Sequence, residues 1–223
     1  MKNDLKYEVM RQKLIVIVRG VQNDRLEPLL EALYAGGVRF VEITFDAKGR
    51  TSTEETAEQI ARMRKLFQGR IHVGAGTVLT LAQAKAAVEA GAEFLISPNV
   101  NKDVIHYANK SEVLSMPGAM TPTEAVCAFD AGADFVKLFP SDSLGIGYIK
   151  ALCAPLSHIP FLAVGGVNER NVADFLKAGV VGVGVGGNIV KKDLIEQENW
   201  EAVRNLATQY CTAIEAYQAI EGA

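Results

Sequence analysis

Short apolar runs recur along the chain and alternate with longer amphipathic segments. Each run is uninterrupted, as in strands that are buried on both faces of a parallel sheet. The eight runs are LIVIVRG (14–20), RFVEITF (39–45), IHVGAGT (71–77), EFLISP (93–98), VLSMPG (113–118), DFVKLFP (134–140), IPFLAVGG (159–166) and VVGVGVGG (180–187). The segments between them predict helices.

The dipeptide Ala-Gly precedes four of these runs and marks predicted helix ends. The copies are Ala35-Gly36, Ala90-Gly91, Ala131-Gly132 and Ala178-Gly179. Each Gly is expected just beyond a helix, at a position that favours positive φ. Helix starts are predicted at the capping boxes Thr80…Gln83 and Thr121…Glu124, and at the N-cap residues Asn101 and Asn168.

Eight strand–helix units without a linker predict an α/β fold, a single (β/α)8 TIM barrel over residues 1–223. Residues 2–11 predict an extra N-terminal helix, and the closing helix is expected from about 199 to 219. An open doubly wound sheet is the alternative if one or two of the strands are false. In a barrel, active residues lie at the C-terminal ends of the strands.

The composition indicates which partners and which cellular compartment to expect for this chain. The chain has 23 Lys plus Arg and 26 Asp plus Glu, a formal charge of −3, which argues against a nucleic-acid binder. No run approaches the roughly 18 apolar residues of a membrane span, and the charged N-terminus does not resemble a signal peptide. Three dispersed cysteines, Cys127, Cys153 and Cys211, favour a reducing cytoplasm.

Lys137 interrupts the apolar run DFVKLFP. Strand alternation places Phe135, Lys137 and Phe139 on one face, and we expect that face to line the barrel interior. Burial lowers the pKa of a lysine and frees the amine to attack a carbonyl group. A structural lysine that pairs with a carboxylate or reaches the rim is the alternative.

Glu42 interrupts RFVEITF in the same way and is expected inside the barrel near Lys137. A carboxylate at this place can move protons during imine chemistry. The alternative is a buried salt bridge with Lys137 that has no catalytic part.

Glycines end the last two predicted strands, where such barrels often bind phosphate through backbone N–H groups. The candidates for phosphate binding are Gly165, Gly166, Gly186, Gly187 and Asn188. Thr77 offers a hydroxyl at the barrel mouth, and Arg19 suits a carboxylate or a phosphate. The histidines do not converge at this end, which disfavours a zinc site.

The runs VEITF, GAGTVL, ISPN, MPGA, FVKLFP and AVGGV, followed by the glycine-rich eighth strand, resemble one family in order and spacing. It contains the class I aldolases of 2-keto-3-deoxy-6-phosphogluconate (KDPG) and 4-hydroxy-2-oxoglutarate (KHG), with relatives that act on 2-keto-3-deoxy-6-phosphogalactonate. The resemblance implies Lys137 as the Schiff-base lysine and Glu42 as the proton shuttle. It implies substrate contacts from Thr77, Phe139, Pro98, Gly118, Arg19 and Val164, and phosphate contacts from the glycine turns.

Three positions depart from the phosphogluconate branch of that family. Asp46 stands where the branch has arginine, Val164 where it has threonine, and Asn188 where it has serine. Arg19 and the run AVGGV instead resemble the phosphogalactonate branch, and we expect Arg19 to take over the carboxylate role. The resemblance further implies a homotrimer, pyruvate and an aldehyde such as glyceraldehyde 3-phosphate as products, and no metal or organic cofactor.

Two other functions stay open on the residues alone. Glu42 and Asp46 could bind Mg²⁺ in a metal-dependent lyase or phosphosugar epimerase. A non-catalytic barrel that only binds a phosphorylated ligand is the third interpretation, although such binding requires neither Lys137 nor Glu42.

Overall fold

Parallel strands and helices alternate along the chain in a computed structural model that describes residues 2–221. The ends of the predicted domain, Met1, Gly222 and Ala223, lie outside the described residues. The strands are β1 Leu14–Val18, β2 Phe40–Thr44, β3 His72–Gly76, β4 Phe94–Ile96, β5 Leu114–Met116, β6 Gly118–Ala119, β7 Val136–Leu138, β8 Phe161–Val164 and β9 Gly182–Val185. The helices are α1 Lys2–Gln12, α2 Asn23–Ala35, α3 Thr53–Leu66, α4 Leu81–Glu89, α5 Lys102–Lys110, α6 Pro122–Asp130, α7 Ser141–Cys153, α8 Val172–Lys177, α9 Lys192–Glu196 and α10 Trp200–Glu221.

The strands form one parallel sheet in the order β5-β4-β3-β2-β1-β9-β8-β7-β6. Its two ends, β5 and β6, are neighbours in the chain, so the sheet is rolled into a barrel. The predicted TIM barrel with an extra N-terminal helix is confirmed, and the open doubly wound sheet is wrong. The fifth predicted strand is broken at Pro117, which has no N–H for the ladder, although its carbonyl accepts from Lys137 N at 2.9 Å.

Two apolar cores stabilise the barrel. The larger one lies between the sheet and the surrounding helices. The smaller one fills the barrel interior, where Ile15, Phe40, Phe94 and Phe135 pack together. Val9 of α1 belongs to this interior core, so α1 covers the N-terminal end of the barrel. Of the helices that the structure describes, none is long and apolar enough to cross a membrane.

The predicted helix signals hold with two corrections. Both capping boxes are present, and Asn101 caps α5. Asn168, however, lies before the helix start, because Asn171 is the N-cap of α8. Gly91, Gly132 and Gly179 have positive φ as expected, but Gly36 has φ −82° and Gly37 takes the positive φ of 98°.

Close packing, and not a positive φ, explains the glycine at position 36. A Cβ there would lie 2.6 Å from Ala207 Cβ and 2.7 Å from Arg204 O. Helix α10 therefore packs directly against the end of α2 because position 36 carries no side chain.

The substitution Gly36→Ala is expected to lower the free energy of unfolding by about 1–3 kcal/mol, since the added methyl group overpacks this contact. Urea unfolding measures the change. Gly147→Ala is the matched control, because a Cβ on Gly147 meets no atom within 4 Å. That helical control should be stabilised by about 0.5–1 kcal/mol. Equal effects of the two substitutions would contradict the packing argument.

Candidate active site

Lys137 lies in the middle of β7 and points into the barrel. Its side chain is only 7% exposed although the residue is a lysine. The ammonium nitrogen lies 4.7 Å from the centre of the Phe139 ring, which is partly exposed at the barrel mouth. Strand β7 thus holds the amine in an apolar environment that opens toward the C-terminal end of the barrel.

Glu42 lies in the middle of β2 and is 1% exposed. The adjacent β3 makes room for it, because a Cβ on Gly76 would lie 2.6 Å from Glu42 Oε1. Oxygen Oε2 of Glu42 is buried without a hydrogen-bond partner. Such an oxygen is costly to leave unpaired, so it points to a ligand or a water molecule that the site receives.

The two groups meet in the barrel interior, as the strand alternation predicts. Lys137 and Glu42 both line a small cavity of about 10 Å³, together with apolar residues such as Ile17 and Val164. This volume is near the lower limit for a single water molecule. Among the ion pairs of residues 2–221, none joins Lys137 to Glu42, and the cavity that both residues line is where a reacting atom would lie.

Burial lowers the pKa of Lys137 and raises the pKa of Glu42. Desolvation lowers the pKa of Lys137, and the positive charge of Arg19 lowers it further, while Glu42 opposes both effects. Desolvation raises the pKa of Glu42 against the opposing charges of Lys137 and Arg19. Both shifts favour the neutral amine and the protonated carboxyl group, the forms that a nucleophile and a general acid require.

Above the pair, a cavity of about 460 Å³ opens at the C-terminal ends of the strands. It brings together nearly all of the side chains and glycines that the sequence predicted for the site. Its lining includes Lys137, Arg19, Thr77, Pro98, Phe139, Val164, Gly165, Gly166, Gly186, Gly187 and Asn188. Sequence reasoning missed the apolar wall of this cavity, which consists of Ile17, Val167, Val185 and Val190.

Thr77 adopts φ 57° at the end of β3. This left-handed conformation is rare for a β-branched residue and costs about 1–2 kcal/mol. The strain supports a role for Thr77 in the site, because such conformations cluster where ligands bind.

The two glycine turns present backbone donors to the same cavity. Gly165 and Gly166 have φ values of 107° and 71°, which other residues rarely adopt. No protein group accepts from the N–H groups of Gly166, Gly187 or Asn188 within the described residues. The side-chain amide of Asn188 already donates to Val167 O at 2.7 Å, so we assign its contribution to an anion site to the backbone N–H.

Two predicted residues occupy other positions. Gly118 does not line the cavity, because it packs behind Pro98, whose carbonyl oxygen would lie 2.5 Å from a Cβ on Gly118. Asp46 accepts hydrogen bonds from the Arg50 side chain and from the backbone N–H groups of Lys48 and Arg50. Magnesium binding by Glu42 and Asp46 would require Asp46 to give up these partners. Within residues 2–221, no group of three His, Cys, Asp or Glu side chains could hold a metal ion.

A family model described as "Aldolase: KDPG and KHG aldolase" matches residues 6–206. The chain belongs to the KDPG and KHG aldolase family. It is therefore related to carbon–carbon lyases, and the resemblance drawn from the sequence is confirmed.

Individual relatives come from both branches of the family. The chain is 37% identical over 183 residues to a probable 2-dehydro-3-deoxy-6-phosphogalactonate aldolase of Rhizobium meliloti, which covers 82% of this chain and 84% of the relative. It is 34% identical over 186 residues to a 2-dehydro-3-deoxy-phosphogluconate aldolase of Pseudomonas aeruginosa, covering 82% and 80%.

A solved structure of the family connects the fold to covalent chemistry. The KDPG aldolase of Legionella pneumophila superposes with a TM-score of 0.81 at 29% identity, covering 91% of this chain and 96% of that one. That structure holds pyruvate captured as a covalent carbinolamine intermediate. That aldolase thus forms a covalent intermediate with pyruvate on a closely similar barrel.

Proposed function

We propose that this chain is a class I aldolase that cleaves a 2-keto-3-deoxy-6-phospho-sugar acid into pyruvate and glyceraldehyde 3-phosphate. Lys137, which lines the mouth cavity, lies with buried Glu42 around an adjoining small cavity, and this juxtaposition carries the proposal. A barrel that only binds a phosphorylated ligand would have no use for either buried group.

Lys137 starts the reaction as a neutral amine that attacks the C2 carbonyl carbon of the substrate. The carbinolamine loses water as Glu42 donates a proton to the departing hydroxyl group, and an iminium ion forms. Glu42, now a carboxylate, accepts the C4 hydroxyl proton while the C3–C4 bond breaks. The bonding electrons pass into the iminium, which becomes an enamine, and the aldehyde leaves.

The second half of the reaction restores the enzyme. Glu42 returns its proton to C3 of the enamine, which converts it to the pyruvate imine. Water then adds to the imine carbon, Glu42 takes up the proton that is released, and the C–N bond breaks. Pyruvate leaves, and the neutral Lys137 amine and the protonated Glu42 are restored. Atoms and protons balance without a metal ion or an organic cofactor.

The mouth cavity supplies the remaining contacts. Arg19 and Thr77 bind the C1 carboxylate, and Phe139 packs beside the imine. Pro98 and Val164 contact the carbon chain, with Gly118 supporting Pro98 from behind. The turns Gly165-Gly166 and Gly186-Gly187-Asn188 bind the phosphate through backbone N–H groups.

The galactonate epimer is a second candidate substrate. Arg19, Val164 and the similarity to the Rhizobium meliloti relative favour it over the gluconate epimer. The choice depends on how the cavity contacts the C4 and C5 hydroxyl groups, which Val164 cannot hydrogen-bond through its side chain.

Measuring kcat/KM for both phosphorylated epimers and for 4-hydroxy-2-oxoglutarate, with pyruvate formation as the readout, tests this function. We expect at least one phosphorylated epimer to exceed the unphosphorylated compound about tenfold or more, because only it engages the glycine turns. Equal or faster cleavage of 4-hydroxy-2-oxoglutarate would contradict the assigned phosphate site. Failure to form pyruvate from all three would contradict the function.

The family resemblance indicates the quaternary structure, and the free cysteine thiols indicate the compartment. We propose a homotrimer, which sedimentation equilibrium would detect as three times the chain mass of 24.0 kDa. The three cysteine thiols are free, as is usual in a reducing compartment, and this supports the proposed cytoplasmic location.

A further inference from the structure

Ser141 is a buried residue that the mechanism above does not use. It is the first residue of α7 and is fully buried. Its hydroxyl group donates to Leu138 O at 2.8 Å and accepts from Val164 N at 3.0 Å. The hydroxyl thus connects the end of the strand that carries Lys137 with the end of the strand that leads into Gly165-Gly166.

This contact ties the ends of two strands to the start of α7. Strand β7 pairs with β8 so that Leu138 lies opposite Ala163. In a parallel ladder with this register, the N–H of Val164 faces the carbonyl group of Leu138. The Ser141 hydroxyl bonds to both of these groups, so it fixes the two strand ends relative to α7.

The glycine turn also packs against the beginning of α7. A Cβ on Gly165 would lie 3.2 Å from Ser141 N, and a Cβ on Gly166 would lie 2.4 Å from Asp142 Cβ. No side chain fits between the turn and the helix. The position of the turn relative to Lys137 is consequently set where Ser141 joins β7 and β8.

We propose that Ser141 is a positioning residue whose hydroxyl group fixes the distance between the glycine turn and Lys137 and thereby favours phosphorylated substrates. This inference rests on the proposed function, which places the substrate's keto carbon at Lys137 and its phosphate at the turn. A ligand fixed at both ends must match the distance between the two groups, whereas a ligand without the phosphate need only reach Lys137.

The substitution Ser141→Ala tests the proposal. Loss of the hydroxyl removes the link between Leu138 O, Val164 N and the start of α7, so the turn is no longer held at a fixed distance from Lys137. For the preferred phosphorylated substrate we expect kcat/KM to fall about tenfold or more, mainly through KM. Cleavage of 4-hydroxy-2-oxoglutarate and borohydride trapping of the pyruvate imine should stay within about twofold of the wild type.

Two further variants complete the experiment. Ser157→Ala makes the same chemical change at an exposed serine, and it should alter neither substrate. Ser141→Cys keeps a weaker donor and acceptor and should give an intermediate selectivity. If the alanine variant does not fold, the cysteine variant still measures the ratio of the two substrates.

The outcomes distinguish a failure of the proposed role of Ser141 from a failure of the proposed aldolase function. An unchanged ratio of the two kcat/KM values, or an equal loss for both substrates and for imine trapping, would overturn the positioning role. A wild-type protein that forms no pyruvate adduct and cleaves none of the substrates would instead contradict the proposed function itself.

Discussion

Replacing Lys137 with methionine is expected to reduce aldol cleavage by about 10⁴-fold or more, because the covalent route is lost. Borohydride added with pyruvate should label the wild-type protein at Lys137 and leave Lys137→Met unlabelled. Mass spectrometry of the labelled peptide measures this difference. Comparable labelling of the variant would show that another amine forms the imine.

The same substitution is expected to reduce activity but to increase stability relative to the wild type. Burial lowers the pKa of Lys137 in the folded protein, so the unfolded chain binds its proton more tightly. The wild type therefore loses stability as the pH falls from the ordinary lysine range toward the lowered value, and Lys137→Met does not. We expect the thermal midpoint of the variant relative to the wild type to increase as the pH falls from about 10 to about 7.

Lys150→Met is a matched control for this pH dependence, because Lys150 is exposed and forms no ion pair within the described residues. Its midpoint should follow the wild type across the same range. A midpoint for Lys137→Met that falls in parallel with the wild type would mean that the buried amine is not destabilising.

Replacing Glu42 with glutamine should lower kcat by about 10²–10⁴-fold, because the site loses the buried carboxyl group that moves protons. The amide keeps nearly the same shape, so pyruvate should still enter and form an imine slowly. Exchange of the pyruvate methyl protons with deuterium, followed by NMR, isolates the step in which Glu42 moves a proton at C3. This exchange should be almost lost in Glu42→Gln.

Glu27→Gln provides the control for this change, since Glu27 lies on the exposed face of α2 and pairs with Arg62. Its exchange rate should equal that of the wild type. Normal exchange in Glu42→Gln would remove Glu42 from the catalytic role and leave it as a partner that only balances the charge of Lys137.

The barrel could be predicted because local patterns and the fold agree. Uninterrupted apolar runs, capping boxes and Ala-Gly helix ends all depend on interactions close in sequence. The predictions that are wrong concern positions whose structure depends on residues distant in the sequence. Position 36 is glycine because α10 passes beside it, and the fifth strand divides at Pro117, whose ring removes a ladder donor.

The same distinction between local sequence patterns and tertiary contacts applies to the candidate active site. Lys137 and Glu42 could be predicted because a charge within an apolar strand is conspicuous in a sequence. The missing ion pair, the left-handed conformation of Thr77 and the contact of Asn188 with Val167 could not, because they depend on three-dimensional geometry. Ser141 gave no signal either, since serine at the start of a helix is ordinary.

The N-terminal helix imposes an order on the release of products. Val9 and the surrounding phenylalanines fill the lower end of the barrel, so substrate and products pass through the mouth cavity at the other end. Pyruvate is still attached at the bottom when the aldehyde forms above it. The aldehyde must depart first, and added pyruvate should therefore compete with the substrate for the free enzyme.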